Sequence, residues 1–547
     1  MNNTYSDLLR TVTHDYLITV NPLAPPSFAD MEAQLMTEMR RILDMMNVAL
    51  PKSASMRMPQ SLEPQQIAEV INYLFTVRRI QPADGSNDTS YDLLGIYCST
   101  GRDAGLYVTD EDAFEKIARQ FKYNLKINDF KEMMRALRCL VPRVARTKDP
   151  NLVPVNNGVF DYDTKTLLPF SPDYVFLSKC RVDYNPNAVN VILHNDEDNT
   201  DWNVEDWMFE LSDDKGVTNL LWQILGAIIR PYVNWNKAAW FYSQTGNNGK
   251  GTLCELMREL VGEGSYASVS LSDMGKDFAL ESLINSTAVI VDENNVGTYI
   301  DKAANLKALI THDVVQINRK FKQMIPFRFH GFMVQCLNEM PRVKDKSDSF
   351  YRRQIFIPFK KTFTGRERKY IKNDYLHRKE VLEYVLFKVL NMNYYEFDVP
   401  DSCLNALEEY KTYNDPVRQF AEEVLPSLVW DGLPYSFLYE LYCAWYKRQN
   451  AGKGTQTSQR GFTMELKNVI RSIDTGFTLA EDGNGKDKLW TSVNRITKAE
   501  PMIRVYNLTA WMNPAYKDRG PDDLLCMPRD LAYSYRGLVR SQKGKGG

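Results

Sequence analysis

Between Ala238 and Leu253 the chain reads Ala-Ala-Trp-Phe-Tyr-Ser-Gln-Thr-Gly-Asn-Asn-Gly-Lys-Gly-Thr-Leu. Those residue types in that order suit the holding of nucleotide phosphates. Gly246, Asn247, Asn248 and Gly249 can take positive φ and leave backbone N–H groups unshielded after an apolar strand. Lys250 then offers a point charge for β- and γ-phosphates, and a helix starting near Gly251 aims its positive end at the same anion. Against the pattern G-x-x-x-x-G-K-[ST], Gln244 stands at the first glycine and Gly251 at the magnesium-binding hydroxyl, so Thr252 is the nearest substitute. A Gly/Asn turn before a lysine is also an ordinary strand-to-helix connection, and the reading needs partners elsewhere.

Three later stretches supply them. Thr287-Ala288-Val289-Ile290-Val291-Asp292-Glu293 reads as a buried central strand ending in two acids, which a parallel sheet would set beside the phosphate loop. Asp292 is expected to hold Mg²⁺, together with Thr252, and Glu293 to orient and deprotonate the attacking water. Phe332-Met333-Val334-Gln335-Cys336-Leu337-Asn338 is a second apolar strand, whose terminal Asn338 could reach the γ-phosphate or its water. Arg352 and Arg353 precede an alternating strand that ends at Phe359, where a guanidinium could act as an arginine finger on a neighbouring subunit's nucleotide.

These four elements resemble the helicase core of superfamily 3, in its phage-and-plasmid primase/helicase branch, which is similar to the C-terminal half of poxvirus primase-helicases. The resemblance implies a hexameric AAA+ ring that hydrolyses ATP between subunits and moves along single-stranded DNA. It favours Arg353 over Arg352 as the finger, from its spacing to Phe359. It also implies a DNA-contacting hairpin between the acidic strand and the Asn strand, corresponding to Val314–Phe327, with Arg319, Lys320 and Lys322 at its turn. A replication protein of a phage, plasmid or similar element is the function it suggests. The rivals are an origin-binding initiator that melts duplex without processive unwinding, and a DNA-dependent ATPase scaffold.

The rest of the 547 residues must position that core. With 67 Lys and Arg against 69 Asp and Glu, net charge is −2, so DNA contact has to be local and not a global basic field. Eight scattered cysteines and five histidines give no zinc or disulfide pattern. With no apolar span or leader-like start, a cytoplasmic protein without membrane contact is expected, in the host cytoplasm if phage-encoded. Residues 1–90 read as helical and 91–200 as a mixed α/β collar-type domain, with no clustered acids and histidine to suggest a primase; a separate primase or polymerase could dock there. Residues 201–400 form the α/β AAA+ phosphate-loop core. Residues 401–520 read as a winged helix, with helices near 417–425, 433–449 and 463–473 and strands at 489–493 and 503–506. Its Lys447, Arg448, Lys453, Arg460, Lys467 and Arg471 would contact duplex origin DNA. Residues 521–547, with Arg536, Arg540, Lys543 and Lys545, read as a flexible basic tail.

Overall fold

Apolar residues one helical turn apart organise the N-terminal region of the protein, seen here in a computed structural model. The structure describes residues 5–541 except 49, 84–87, 296, 301–302, 321, 450–456, 484 and 517–520, and the side chains of Ala54, Tyr299 and Lys322 lie outside it as well. Two units meet at residues 407 and 408 in the chain, each with its own core.

In the first unit, α1 (Tyr5–Leu17) buries Leu8 and Val12, and α2 (Phe28–Val48) buries Met31, Leu35, Met39 and Leu43 along one stripe. Helix α3 (Pro64–Leu74) starts with a proline and a reciprocal Glu63–Gln66 capping box. Strand β1 (Val77–Ile80) pairs antiparallel with β2 (Leu93–Tyr97), which pairs with β3 (Tyr107–Val108). After α4 (Glu111–Phe121) and α5 (Ile127–Leu140), β4 (Arg143–Val144) joins β1 in parallel. A domain boundary at residue 90 would cut this sheet between hydrogen-bonded neighbours, and the helices before it share one core with it, through Leu35, Ile71, Val77, Ile96 and Phe121. The helical segment and the following strands are therefore one body. Buried Asp92 ties the sheet together by accepting from Arg79 at 3.0 Å and Arg143 at 2.8 Å.

The meander β5 (Leu152–Val155), β6 (Gly158–Asp161) and β7 (Thr166–Leu168) turns at Asn156-Asn157, as its turn chemistry predicts. A hairpin of β8 (Leu193–Asn195) and β9 (Thr200–Trp202) runs through the boundary expected at residue 200. Helices α6 (Val204–Glu210) and α7 (Lys215–Ala227) lead into the main sheet. Its strands in chain order are β10 (Ala238–Tyr242), then, after α8 (Lys250–Val261), β11 (Tyr266–Ala267) and β12 (Ala288–Val291). Short β13 (Tyr299–Ile300), α9 (Ala303–Ile310) and the hairpin β14 (Val314–Arg319) and β15 (Lys322–Arg328) follow. Next come β16 (Phe332–Leu337), β17 (Arg342–Val343), α10 (Asp348–Tyr351) and β18 (Gln354–Pro358). The five-stranded sheet is parallel throughout, in the order β11-β12-β16-β10-β18. Strands β12 and β16 are buried at every position, which is why they read as unbroken apolar runs with no alternation. Helices α11 (Lys369–Asn373), α12 (Lys379–Asn391) and α13 (Asp401–Asn414) complete the unit, and α13 runs past its end.

The second unit contains α14 (Pro416–Val424), β19 (Gly432–Pro434), α15 (Tyr435–Gln449), α16 (Gln459–Ser472) and β20 (Phe477–Leu479). It continues with β21 (Trp490–Thr491), α17 (Met502–Val505), α18 (Asp522–Leu525), β22 (Ser534–Tyr535) and β23 (Gly537–Arg540). Two expectations are corrected. Residues 503–505 are helical and 506 lies in the turn after them, not in a strand: Ile503 is buried in the core while Arg504 and Val505 are exposed, over a single turn. The flexible tail is not one as far as residue 541: β23 is the central strand of the antiparallel sheet β19-β23-β20. Leu538 is fully buried, and Arg540 pairs with Asp431 at 2.9 Å and donates to the Leu428 carbonyl. Lys543 and Lys545 lie outside the described residues. No helix among the described residues is long and apolar enough to cross a membrane.

Candidate functional site

Strand β10 ends at Tyr242, and the chain turns through Ser243–Gly249 into α8. Asn247 (φ 49°) and Gly249 (φ 87°) take the left-handed conformation that the turn requires. Gly249 is also sterically confined, since a Cβ there would stand 2.5 Å from Leu211 Cδ2. As the N-cap of α8 it brings no side-chain acceptor, so the N–H groups of Gly251 and Thr252 are left for an external anion. Asn248 braces the loop from within, donating to the Thr245 carbonyl and accepting from the Lys250 N–H at 3.3 Å.

Lys250 is buried at the start of α8, and its ammonium sits where the ends of β10 and β16 converge. It donates to Asn338 Oδ1 at 3.0 Å, the Leu337 carbonyl at 3.1 Å and the Ser243 carbonyl at 3.3 Å. Burial lowers its pKa from the ordinary lysine range. The structure thus joins Lys250 and Asn338, 88 residues apart in sequence, in one hydrogen bond.

Asp292 follows β12 and is 44% exposed; its carboxylate meets Arg258, two turns into α8, at 3.1 Å. Glu293 beside it is exposed and makes no hydrogen bond or ion pair among the described residues. Thr252 faces a different wall: it lines a 240 Å³ cleft with Trp207, Asn247, Gly249, Phe363 and Asn373. Asp292 is engaged with Arg258 and not with Thr252, so the two expected magnesium ligands share no direct contact. Gly246 and Gly251 have open space where a Cβ would stand, so neither is demanded by crowding.

Arg352 and Arg353 lie at the opposite end of the sheet. Ala238, the first residue of β10, donates its N–H to the Arg353 carbonyl at 2.8 Å, and β10 runs five residues from there to the phosphate loop. At the usual strand rise that is roughly 16 Å, too far for either guanidinium to reach its own chain's loop. Arg352 is exposed; Arg353 donates to the Ser349 carbonyl.

Two buried amides were not singled out from the sequence. Asn294 donates to Gln335 Oε1 at 2.9 Å and the Cys336 carbonyl at 3.0 Å, and accepts from the Leu271 N–H at 2.9 Å. Gln335 donates onward to the Val269 carbonyl at 3.1 Å. This pair pins the turn after Asp292-Glu293 to the neighbouring strand, and the one visible signal was a glutamine inside an otherwise apolar run. The segment after β18 was also passed over. Phe363 donates its N–H to the Asn247 carbonyl at 2.7 Å, and Glu367 accepts from the Asn247 side chain at 2.9 Å, so residues 363–367 clamp the loop from outside.

Family comparisons divide along these same elements. The model described as D5 N terminal like matches residues 34–209, and that described as Poxvirus D5 protein-like matches residues 412–491. Over those two segments the chain is similar to D5-like proteins of the primase-helicase kind. Between those segments a family of unknown function (DUF5906) matches residues 241–353, a stretch holding the phosphate loop, the acidic pair, Asn338 and both arginines. Among solved structures, the A form apo structure of the NrS-1 C terminal region is similar at 14% identity and TM-score 0.38, covering 75% of this chain and 86% of that one. A second apo structure of the NrS-1 C terminal region gives 13% identity and TM-score 0.39 over the same shares.

In this chain the expected DNA hairpin is β14–β15, with Val315 opposite Phe327, Ile317 opposite Ile325, and a bulge before Arg319. Its turn is not a cluster of free cations. Arg319 has a side chain only 15% exposed and turned to Glu281 at 4.0 Å, and the Lys320 N–H donates to that same carboxylate at 3.3 Å. Lys322 pairs with Arg319 across the strands, but its side chain lies outside the described residues. In the second unit, Lys467 pairs with Asp487 at 2.7 Å and Arg471 with Glu481 at 2.6 Å, so those two cations are already compensated. Lys453 lies outside the described residues.

Proposed function

We propose that this D5-like replication protein is an ATP-driven DNA helicase of the superfamily 3 type, with an AAA+ core that works as a hexameric ring on single-stranded DNA. The observation that carries the reading is the bond from Lys250 Nζ to Asn338 Oδ1 at the mouth of an uncapped helix, with Asp292 and Glu293 at the end of the adjacent strand. All of these groups stand at the C-terminal ends of parallel strands, the edge where such sheets bind ligands.

The donor set fits Mg²⁺-ATP. Gly246–Gly249 and the first N–H groups of α8 would cradle the phosphates, and Thr252 and Asp292 would hold Mg²⁺, which supplies charge neutralisation to the transferring phosphoryl group. Lys250 would exchange its carbonyl partners for β- and γ-phosphate oxygens. Freed by that exchange, Asn338 would turn its amide to the γ-phosphate. Glu293, with no partner to neutralise it, would take the proton of the attacking water. Arg353, unable to reach its own loop, would serve the neighbouring subunit's nucleotide, with Arg352 the second candidate.

The second unit, in which the longer helices α14, α15 and α16 accompany the antiparallel sheet β19-β23-β20, is read as a winged helix and would bind duplex DNA near an origin. That module favours one alternative, an initiator that melts its origin without processive unwinding. Strand separation on a generic fork, with ATP hydrolysis stimulated by single-stranded DNA, is the expected result. Melting confined to origin duplex would favour the initiator, and DNA-stimulated hydrolysis with no strand separation on either substrate would point to a scaffold.

A further inference from the structure

We propose that Arg146 and Arg328 form a second contact for the phosphates of single-stranded DNA, at the root of the β14–β15 hairpin and not at its tip. The inference rests on the DNA-translocating reading above.

The cluster is assembled from distant parts of the chain. Arg146, in the strap after β4, donates to the Arg328 carbonyl at 3.3 Å and lays its guanidinium over the Phe327 ring at 5.2 Å. Arg328, the last residue of β15, donates to the His312 carbonyl at 2.8 Å. His312 in turn donates through Nδ1 to the Phe329 carbonyl at 2.9 Å and stacks on His330 at 5.6 Å between ring centres. Lys148 belongs to the same field, for its pKa is lowered by burial and then by Arg328. His330 reports the field most strongly. Burial first, then Arg146, His312, Lys148 and Arg328 together, push its pKa down to about 2.

What marks the site is the balance of charge. Among the described residues neither Arg146 nor Arg328 has a carboxylate partner; both guanidiniums bond only to main-chain carbonyls. The acids nearest in sequence bond elsewhere, Asp313 to the Thr311 hydroxyl at 2.6 Å and Asp149 to the Asn151 N–H at 2.9 Å. Two half-buried guanidiniums with no carboxylate ion pair raise the energy of the free protein, and a polyanion relieves that repulsion when it binds. The hairpin tip differs, since Glu281 already lies against the Arg319 guanidinium and accepts from the Lys320 main-chain N–H. Forked guanidiniums also match phosphate oxygens without reading bases, as a translocating enzyme requires.

The test measures binding of an oligothymidylate to the full chain over a range of NaCl concentrations, with DNA-free ATP hydrolysis as the control. The double variant Arg146→Gln/Arg328→Gln should flatten the log–log salt dependence by about 1.4, from roughly 0.7 per lost phosphate contact. DNA-free hydrolysis should stay at the wild-type rate, and Arg146→Lys/Arg328→Lys should keep the wild-type slope. An unchanged slope in the glutamine variant overturns the inference, as does equal loss in the lysine variant, which would assign the arginines a purely structural role. Should the double variant fold poorly, Arg146→Gln alone should flatten the slope by about 0.7, and no change there is equally decisive. A wild type that neither hydrolyses ATP nor binds the oligonucleotide defeats the parent reading instead, and is distinguishable from every result above.

Discussion

Replacing Lys250 by methionine should separate stability from catalysis, because the structure asks opposite things of its ammonium. In the fold it makes three hydrogen bonds, to Ser243, Leu337 and Asn338. Charged hydrogen bonds are worth about 1.5–3 kcal/mol each. Taking an ammonium out of water costs several kcal/mol, and the lowered pKa of Lys250 says that burial wins over its partners. Methionine fills the same space without that cost, so the variant should melt within about 3 °C of wild type. Turnover should instead fall by about 10³, or ~4 kcal/mol at 1.36 kcal/mol per tenfold, since the charge is needed where negative charge develops. The sign of the pH effect follows from the depression. A folded lysine with a lowered pKa penalises the fold while it is charged, and the penalty is relieved as pH rises through the folded value toward the unfolded one near 10.4. Wild type should therefore gain on the variant in melting temperature across that alkaline window. Turnover within tenfold of wild type would refute the phosphate role, and a collapse of the fold would make Lys250 a structural strut.

Glu293→Gln should bind ATP as wild type does and stop hydrolysing it, measured by nucleotide-analogue fluorescence beside phosphate release. Arg353→Ala should be inactive alone and regain activity when mixed with Lys250→Met, because a mixed ring contains interfaces with both halves intact; a loss of about 10³ to 10⁵ in rate is expected of a finger, and a fully active pure variant moves the role elsewhere. Gly537→Ala should lower the melting temperature of the second unit, since its Cβ would stand 1.9 Å from the Leu433 carbonyl oxygen on the neighbouring strand, and limited proteolysis should then cut within 428–541.

The turn from β10 into α8 was legible because its signal is local: glycine and asparagine at left-handed positions, then a lysine, within a few residues. The central strands were legible for a related reason, since burial on both faces leaves an unbroken apolar run. Pairings between distant residues were not. Nothing in Val77–Ile80, with arginine at two of four positions, announces a strand until Asp92 and the sheet are in place to receive those side chains. Asn294 has a role only once Gln335, 41 residues on, lies beside it. The tail misled through composition: Gly-Leu-Val-Arg among further basic residues reads as solvated, yet Leu538 fills the core and Arg540 caps it against Asp431.

Charge is where this distinction bears most on function. Counting cations along the chain ranks the hairpin turn, with Arg319, Lys320 and Lys322 close together, above the root, where Arg146 and Arg328 stand 182 residues apart. A count of charges, however, does not measure the field that a phosphate meets, because each cation is offset by whatever acid the fold brings to it. Glu281 reaches the turn from a segment some forty residues earlier, and no carboxylate among the described residues pairs with either root arginine. The ranking therefore reverses on folding. A strand passing along this hairpin gains most where the protein has left its own repulsion unanswered, and the lysine variants of Arg146 and Arg328 keep that charge where the glutamine variants remove it.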